Sequence, residues 1–285
     1  MTDSYVEIFL NSALAKNPIA ALSLFFLFLA RLLPIIALSP FLGARVLPHP
    51  VKMALAITLF AIFLPKLVEV TETPFNFDFT LLIYLVKELF IGLIIGNIIS
   101  LPFIIVQSAG IIIDHQRGGA SLMVNDPTIQ NQSSPLGTLF NMVLIYVFFL
   151  IDGPFLFFDA ILNSYELVPP DKFISNYFFS KNSVSAEMMI KLFNQVMIMS
   201  VQFATPALIA ILMTDSFLGI ANRLAPQVQI TFLGMPLKSL LGLTVVCLGW
   251  NLMVSYMGTT SNYWIVQVNE MIKLFRSVGV SGNPT

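Results

Sequence analysis

The chain has 285 residues, 57% hydrophobic and 10% charged, whereas about a quarter of residues are charged in ordinary soluble domains. A mean hydropathy of +0.86 requires that most of it be buried in lipid or in other apolar subunits, and the class is an all-α, polytopic membrane protein. A formal net charge of −1 leaves no basic footprint for nucleic acid. One cysteine, Cys247, excludes an intrachain disulfide, and two histidines, His49 and His115, without H-E-x-x-H or C-x-x-C spacing point to no metal or cofactor.

Residues 1–18 mix Asp3, Glu7 and Lys16 with Tyr5, Ile8, Phe9 and Leu14, a pattern that suits a short interfacial helix. They lack the basic start of a signal peptide, and Pro40 after Ala37-Leu38-Ser39 disfavours cleavage, so a retained N-terminus is expected. A first span over 19–39 is long enough for a hydrocarbon core of about 30 Å. Arg31 lies inside it, either snorkelling to an interface or contacting another part of an assembly, with Pro34 and Pro40 breaking the helix nearby. A tight basic turn follows over 43–52, then a short second span over 51–64.

Residues 65–78 are acidic on balance, and the next apolar stretch, 79–113, is longer than one span. Gly92, Gly96 and Pro102 are expected to divide or kink it. Lys87 and Glu88 sit inside it as neighbours, pointing about 100° apart on a helix, so each is expected to find its partner elsewhere.

Residues 114–135 change character sharply, and Asp114 and Arg117 are spaced to pair if the helix continues. Gly118 and Gly119 permit positive φ, Asn125-Asp126-Pro127 favours a turn, and Gln130 to Ser134 are uncharged polar groups. That part has few apolar anchors beyond Leu122, Met123, Val124 and Ile129. Such a loop is either a solvated connector or a functional segment.

A fourth span over 136–151 continues past Asp152-Gly153-Pro154 to Leu162, and a polar loop occupies 163–187. The fifth span, 188–217, carries Gln195 and Gln202 on one face, where they seek hydrogen bonds across a helix interface, and Asp215 near its end. The loop 218–229 holds Asn222-Arg223-Leu224-Ala225-Pro226-Gln227, and the sixth span, 230–256, holds Phe232-Leu233-Gly234-Met235-Pro236-Leu237-Lys238. Arg223 and Gln227 are read as fixing a non-helical turn. The tail from 257 is polar, with a short amphipathic piece over 266–275. No internal repeat stands out. Arg45, Lys52, Arg117 and Arg223 place loops 43–52, 114–135 and 218–229 in the cytoplasm and the N-terminus outside.

The string from Arg223 to Lys238 resembles the signature of the FliR/SpaR/SctT family, the export-gate subunits of flagellar and type III secretion systems. Arg31-x-x-Pro34 with Pro40-Phe41-Leu42-Gly43, Lys87-Glu88 with Gly92 and Gly96, Asp114-His115-Gln116-Arg117-Gly118 and Ser134-Pro135-Leu136-Gly137 extend the likeness, in order, over nearly the whole chain. The last two motifs look more like injectisome than flagellar members, although His115 stands where many relatives have Asn or another polar residue.

The resemblance implies one export-gate membrane domain over 1–285, similar to a fusion of the two other gate subunits. Residues 1–162 would hold the first four helices and the loop 114–135, residues 188–256 a C-terminal hairpin, and residues 257–285 a tail. It also implies a single copy joined to five copies of one partner and four of the other, with the switch protein alongside. The assembly would lie in the bacterial inner membrane, raised toward the periplasm, and pass unfolded secreted polypeptides without acting as an enzyme. In that setting Gly118, Gly119, Leu122, Met123, Val124, Asn125, Asp126, Pro127 and Ile129 would plug the pore. Arg31, Lys87, Glu88, Asp114, Arg117, Asp215, Arg223, Gln227 and Lys238 would make polar contacts between subunits. A small-solute secondary transporter is the competing reading, since it too uses broken helices and intramembrane charges.

Overall fold

A computed structural model describes residues 18–42, 47–71, 78–118, 124–126, 131–174, 184–224 and 230–274. Among them are eight helices: α1 (Pro18–Leu38), α2 (His49–Val70), α3 (Phe79–Gln116), α4 (Pro135–Leu150), α5 (Gly153–Leu167), α6 (Val184–Leu224), α7 (Ile230–Leu248) and α8 (Trp250–Leu274). Strands β1 (Val124–Asp126) and β2 (Asn131–Ser133) form a short antiparallel pair in which Asn125 faces Gln132. Four helices are long and apolar enough to cross a membrane, or up to six spans exist if each of two bent helix pairs counts as one. The chain is an all-α polytopic membrane protein.

Several boundaries differ from those expected. Helix α2 runs on through Pro65 to Val70, where an acidic loop was expected. Phe63 and Leu67 on either side of Pro65 are buried, and Thr71 closes the helix by returning both its N–H and its hydroxyl to the Leu67 carbonyl. Helix α3 is one continuous element of 38 residues despite Gly92, Gly96 and Pro102. A buried apolar helix tolerates such residues because packing sets its path. The fourth span is instead two helices, separated where Asp152 takes a left-handed φ of 56°. Helix α6 continues to Leu224, so Arg223 is helical, and α8 carries the expected tail on to Leu274. Residues 1–17, 43–46, 225–229 and 275–285 lie outside the described residues, and so does Gln227.

The chain divides into two compact units, residues 1–100 with 154–190 and 264–285, and residues 101–153 with 191–263. In the first, α1 is the central element: Leu24, Leu27, Phe28, Leu32, Ile35 and Ile36 are fully buried. Phe28 packs on Phe63 of α2 and on Tyr165 of α5. Gly92 and Gly96 bring α3 against the α1 backbone. A Cβ at Gly92 would lie 2.9 Å from the Arg31 carbonyl carbon, and one at Gly96 3.1 Å from Pro34 O. This is the close approach that small residues at helical spacing permit.

In the second unit Phe103 packs on Phe148 and Phe140 on Phe203. Gly110 and Gly137 meet there, since a Cβ on Gly137 would stand 2.9 Å from Gln107 O and one on Gly110 would clash with the Gly137 backbone. Ser134 caps α4, its hydroxyl accepting from Gly137 N–H at 2.9 Å, with Pro135 in the first turn where its missing donor costs nothing.

Candidate functional site

Two buried polar clusters stand out, one in each unit. In the first unit, Arg31 is fully buried at the middle of α1, and its Nε and Nη2 form a fork on Glu88 of α3, with Nη2 to Oε1 at 2.9 Å. Its Nη1 donates to Ser164 Oγ at 3.0 Å and its Nη2 also donates to the Val168 carbonyl at 2.8 Å. The guanidinium lies 4.0 Å over the Tyr165 ring. Four of its five donors are thus satisfied by one carboxylate and the end of α5.

Lys87 Nζ meets the other side of the same carboxylate, 2.7 Å from Glu88 Oε1. It also donates to the carbonyls of Pro169, Pro170 and Lys172 at 3.1, 2.9 and 2.9 Å. Asp171 of that turn is buried too, so two cations are matched by two carboxylates in the same region. The carbonyls after α5 supply the negative end of a helix dipole as well.

This corrects the expectation that Lys87 and Glu88 are poor partners for one another. Long side chains from adjacent positions converge when α1 and the 168–172 turn offer them a common point. Each of Arg31, Lys87 and Glu88 has a counter-charge within the chain. Ser164, Tyr165 and the carbonyls of Val168, Pro169, Pro170 and Lys172 are neighbours of this cluster that sequence reasoning missed. Pro169-Pro170, which end a helix and leave carbonyls unpaired, were the available signal.

In the second unit Asp114 is 1% exposed at the end of α3. Its Oδ1 pairs with Arg117, 2.7 Å from both Nε and Nη2. Its Oδ2 accepts from the Ser134 hydroxyl and, at 3.0 Å, from Leu136 N–H. Arg117 Nη1 reaches Ser239 Oγ of α7 at 3.3 Å. The spacing of Asp114 and Arg117 predicted their pairing; Ser134 and Ser239 were not foreseen, although Ser before Pro is an N-cap signature. Gly118 leaves α3 at φ +87°, the left-handed exit that glycine favours.

Of the plug residues named above, Val124, Asn125 and Asp126 lie on β1. Gly119, Leu122, Met123, Pro127 and Ile129 lie outside the described residues. Further along the second unit, Lys238 of α7 pairs with Asp215 of α6 at the edge of a cleft of about 260 Å³ that also includes Asn222, Gly219 and Met235. Arg223 is exposed on the last turn of α6. Gln195 accepts from Tyr263 Oη at 3.0 Å, as an interhelical hydrogen bond predicts.

The family model described as bacterial export proteins, family 1, matches residues 22–262. The chain is 33% identical to Yop proteins translocation protein T of Yersinia pestis over 162 residues, 56% of this chain and 60% of that relative's length. It is 29% identical to secretion system apparatus protein SsaT of Salmonella typhimurium over 223 residues, 78% of this chain and 82% of the relative. It is 27% identical to flagellar biosynthetic protein FliR of Bacillus subtilis over 245 residues, 85% and 90% of the two chains.

Proposed function

Because this chain belongs to the bacterial export proteins, family 1, we propose that it is a subunit of the inner-membrane export apparatus of a type III secretion system. In this reading it is present once per apparatus, joins several copies of two other small polytopic subunits together with the switch protein, and helps form and seal a channel for unfolded secreted polypeptides. The observation that carries the proposal is the family match over residues 22–262. The greater identity of the two secretion relatives than of the flagellar one favours an injectisome.

The helix lengths support a place inside an assembly. Helices α3 and α6, of 38 and 41 residues, extend about 57 and 62 Å at 1.5 Å per residue, roughly twice a hydrocarbon core. Apolar side chains such as Phe193, Met197, Met213 and Phe217 of α6 are exposed on the chain alone. Helices of that length with uncovered apolar flanks suit packing on protein as well as lipid.

The plug role is proposed for residues 118–135, with Gly118 as its hinge and the uncharged polar run as groups that exchange hydrogen bonds with water when the segment moves. Inter-subunit contact is proposed for Arg223, exposed at a helix end, and for Gln227 beyond it. Affinity purification of the tagged chain from mildly solubilised membranes tests the reading. Two other small polytopic membrane proteins are expected to co-purify, and deleting the gene is expected to abolish secretion of unfolded substrates. A chain that purifies as a monomer or dimer binding a small solute, with secretion intact in the deletion strain, overturns it.

A further inference from the structure

We infer that α3 presents a seam for one membrane-spanning helix of another subunit and that Asn97 fixes the register of that helix; this rests on the reading above only in that the chain joins other membrane subunits. Phe79, Ile83, Val86, Phe90, Leu93 and Asn97 are exposed and recur at intervals of four, three, four, three and four residues. That is the alternation of a left-handed helix pair, with Ile83, Phe90 and Asn97 at a positions and Phe79, Val86 and Leu93 at d positions. Membrane helices mostly pack with the same hand. The opposite side of α3 is already occupied, since Ile91, Ile95 and Ile98 are buried and Gly92 and Gly96 lie against α1. From Ile91 to Ser100 only Leu93 and Asn97 are exposed, which makes the seam a ridge one side chain wide there.

Asn97 decides what covers that ridge. It is the one polar side chain among the exposed residues of 81–100 and lies near the middle of α3. One amide hydrogen goes to the Leu93 carbonyl at 2.9 Å. Among the described residues nothing donates to its Oδ1, and the second amide hydrogen has no acceptor. Hydrocarbon offers neither partner, and an amide left unpaired there is costly. Water would satisfy the amide, but Val86, Phe90 and Leu93 on the same ridge would then face water as well. A helix from another subunit meets both demands. It brings apolar side chains to the ridge and, at the depth of Asn97, a group that both donates and accepts, a carboxamide or a hydroxyl. A single asparagine at an a position of an apolar seam specifies register in this way. Sliding the partner by one turn would set its polar group against Leu93 and leave both groups buried without partners.

The full-length chain, tagged and co-expressed with the other membrane subunits of the export apparatus, tests this by photo-crosslinking and by affinity purification in mild detergent. With benzoylphenylalanine in place of Leu93, irradiation is expected to join the chain to one site on one helix of a co-expressed subunit. Asn97→Ala is expected to lower the co-purified yield of that subunit about 3- to 10-fold, the factor carried by an interhelical hydrogen bond in a membrane, and to spread the crosslink over more than one site. Asn97→Gln, which keeps the carboxamide, is expected to lower the yield less. The thermal midpoint of the isolated Asn97→Ala chain is expected to match wild type, because the side chain is exposed. A midpoint that falls with the yield would make Asn97 an internal contact and overturn the proposal. A probe at 93 that joins no protein, or only a second copy of this chain, overturns the occupant. Wild-type yield with an unchanged crosslink site in Asn97→Ala overturns the register role. A wild-type chain that retains none of the co-expressed subunits is a different result: it sinks the export-apparatus reading itself, and the seam's occupant with it.

Discussion

Glu88→Ala is the perturbation whose consequence the buried cluster specifies most closely. Arg31 and Glu88 are fully buried and Lys87 nearly so, and among the described residues Glu88 is the carboxylate that both cations touch. Removing it leaves two Arg31 donors and one Lys87 contact without an acceptor, in a place water does not reach. Breaking one partner out of a buried ion pair costs about 3–5 kcal/mol, because the remaining charge stays desolvated. For a chain of this size a loss of that order lowers the thermal midpoint by on the order of 10 °C. The assay is thermal unfolding of the purified chain in detergent, followed by intrinsic fluorescence. Since the partners are all within the chain, the loss is expected in the isolated protein, before any assembly. A quadruple variant, Arg31→Met, Lys87→Met, Glu88→Leu and Asp171→Asn, which leaves no buried charge of the cluster behind, is expected to recover much of the stability, since apolar replacement of a whole buried ion network is often neutral. A Glu88→Ala midpoint within about 2 °C of wild type, well below the shift that the buried-pair cost implies, would refute the reasoning and return Glu88 to a partner outside the chain.

Gly92→Val is expected to destabilise the isolated chain by about 1–3 kcal/mol, the cost of overpacking a tight core, because its side chain meets the Arg31 backbone rather than a movable side chain; thermal unfolding against a Gly219→Val control, where a Cβ meets nothing within 4 Å, checks it. Arg223→Lys is expected to leave the isolated chain's midpoint unchanged and to reduce co-purification of partner subunits, because lysine lacks the planar fork; unchanged co-purification reduces Arg223 to charge placement. Lys238→Met removes a part-exposed pair with Asp215, and a shift above about 1 kcal/mol in the isolated chain would exceed what such pairs contribute.

The membrane class and the positions of the apolar helices were legible because hydropathy acts locally. What hydropathy could not give was continuity and partnership. Gly92, Gly96 and Pro102 look like breaks in a sequence, yet two of them are where α1 lies against α3, a contact between elements far apart in the chain. Arg31 was recognisable as a costly charge, but its partners lie 57, 133 and 137 residues away, a distance no spacing rule reaches. Polar strings misled at two boundaries. Asn222-Arg223 read as loop and the residues from Gly258 as a polar tail, but α6 carries the first as exposed helical residues and α8 runs through the second with Trp264, Val268 and Ile272 buried. Asp114 and Arg117 were readable because their pairing is local; Ser239 was not, because α7 brings it from 122 residues on.

Residues 118–135 are proposed to seal a channel in a type III export apparatus. Deleting residues 120–130 and measuring ion conductance of the assembled complex in planar bilayers tests it most directly. The deletion spares Asp114, Arg117 and Ser134, so the α3–α4 junction and the assembly are expected to survive. A complex of normal composition that conducts ions steadily where the intact one is closed is expected. Conductance that stays at the level of the intact complex, in particles of unchanged composition, would contradict it and make the segment a connector.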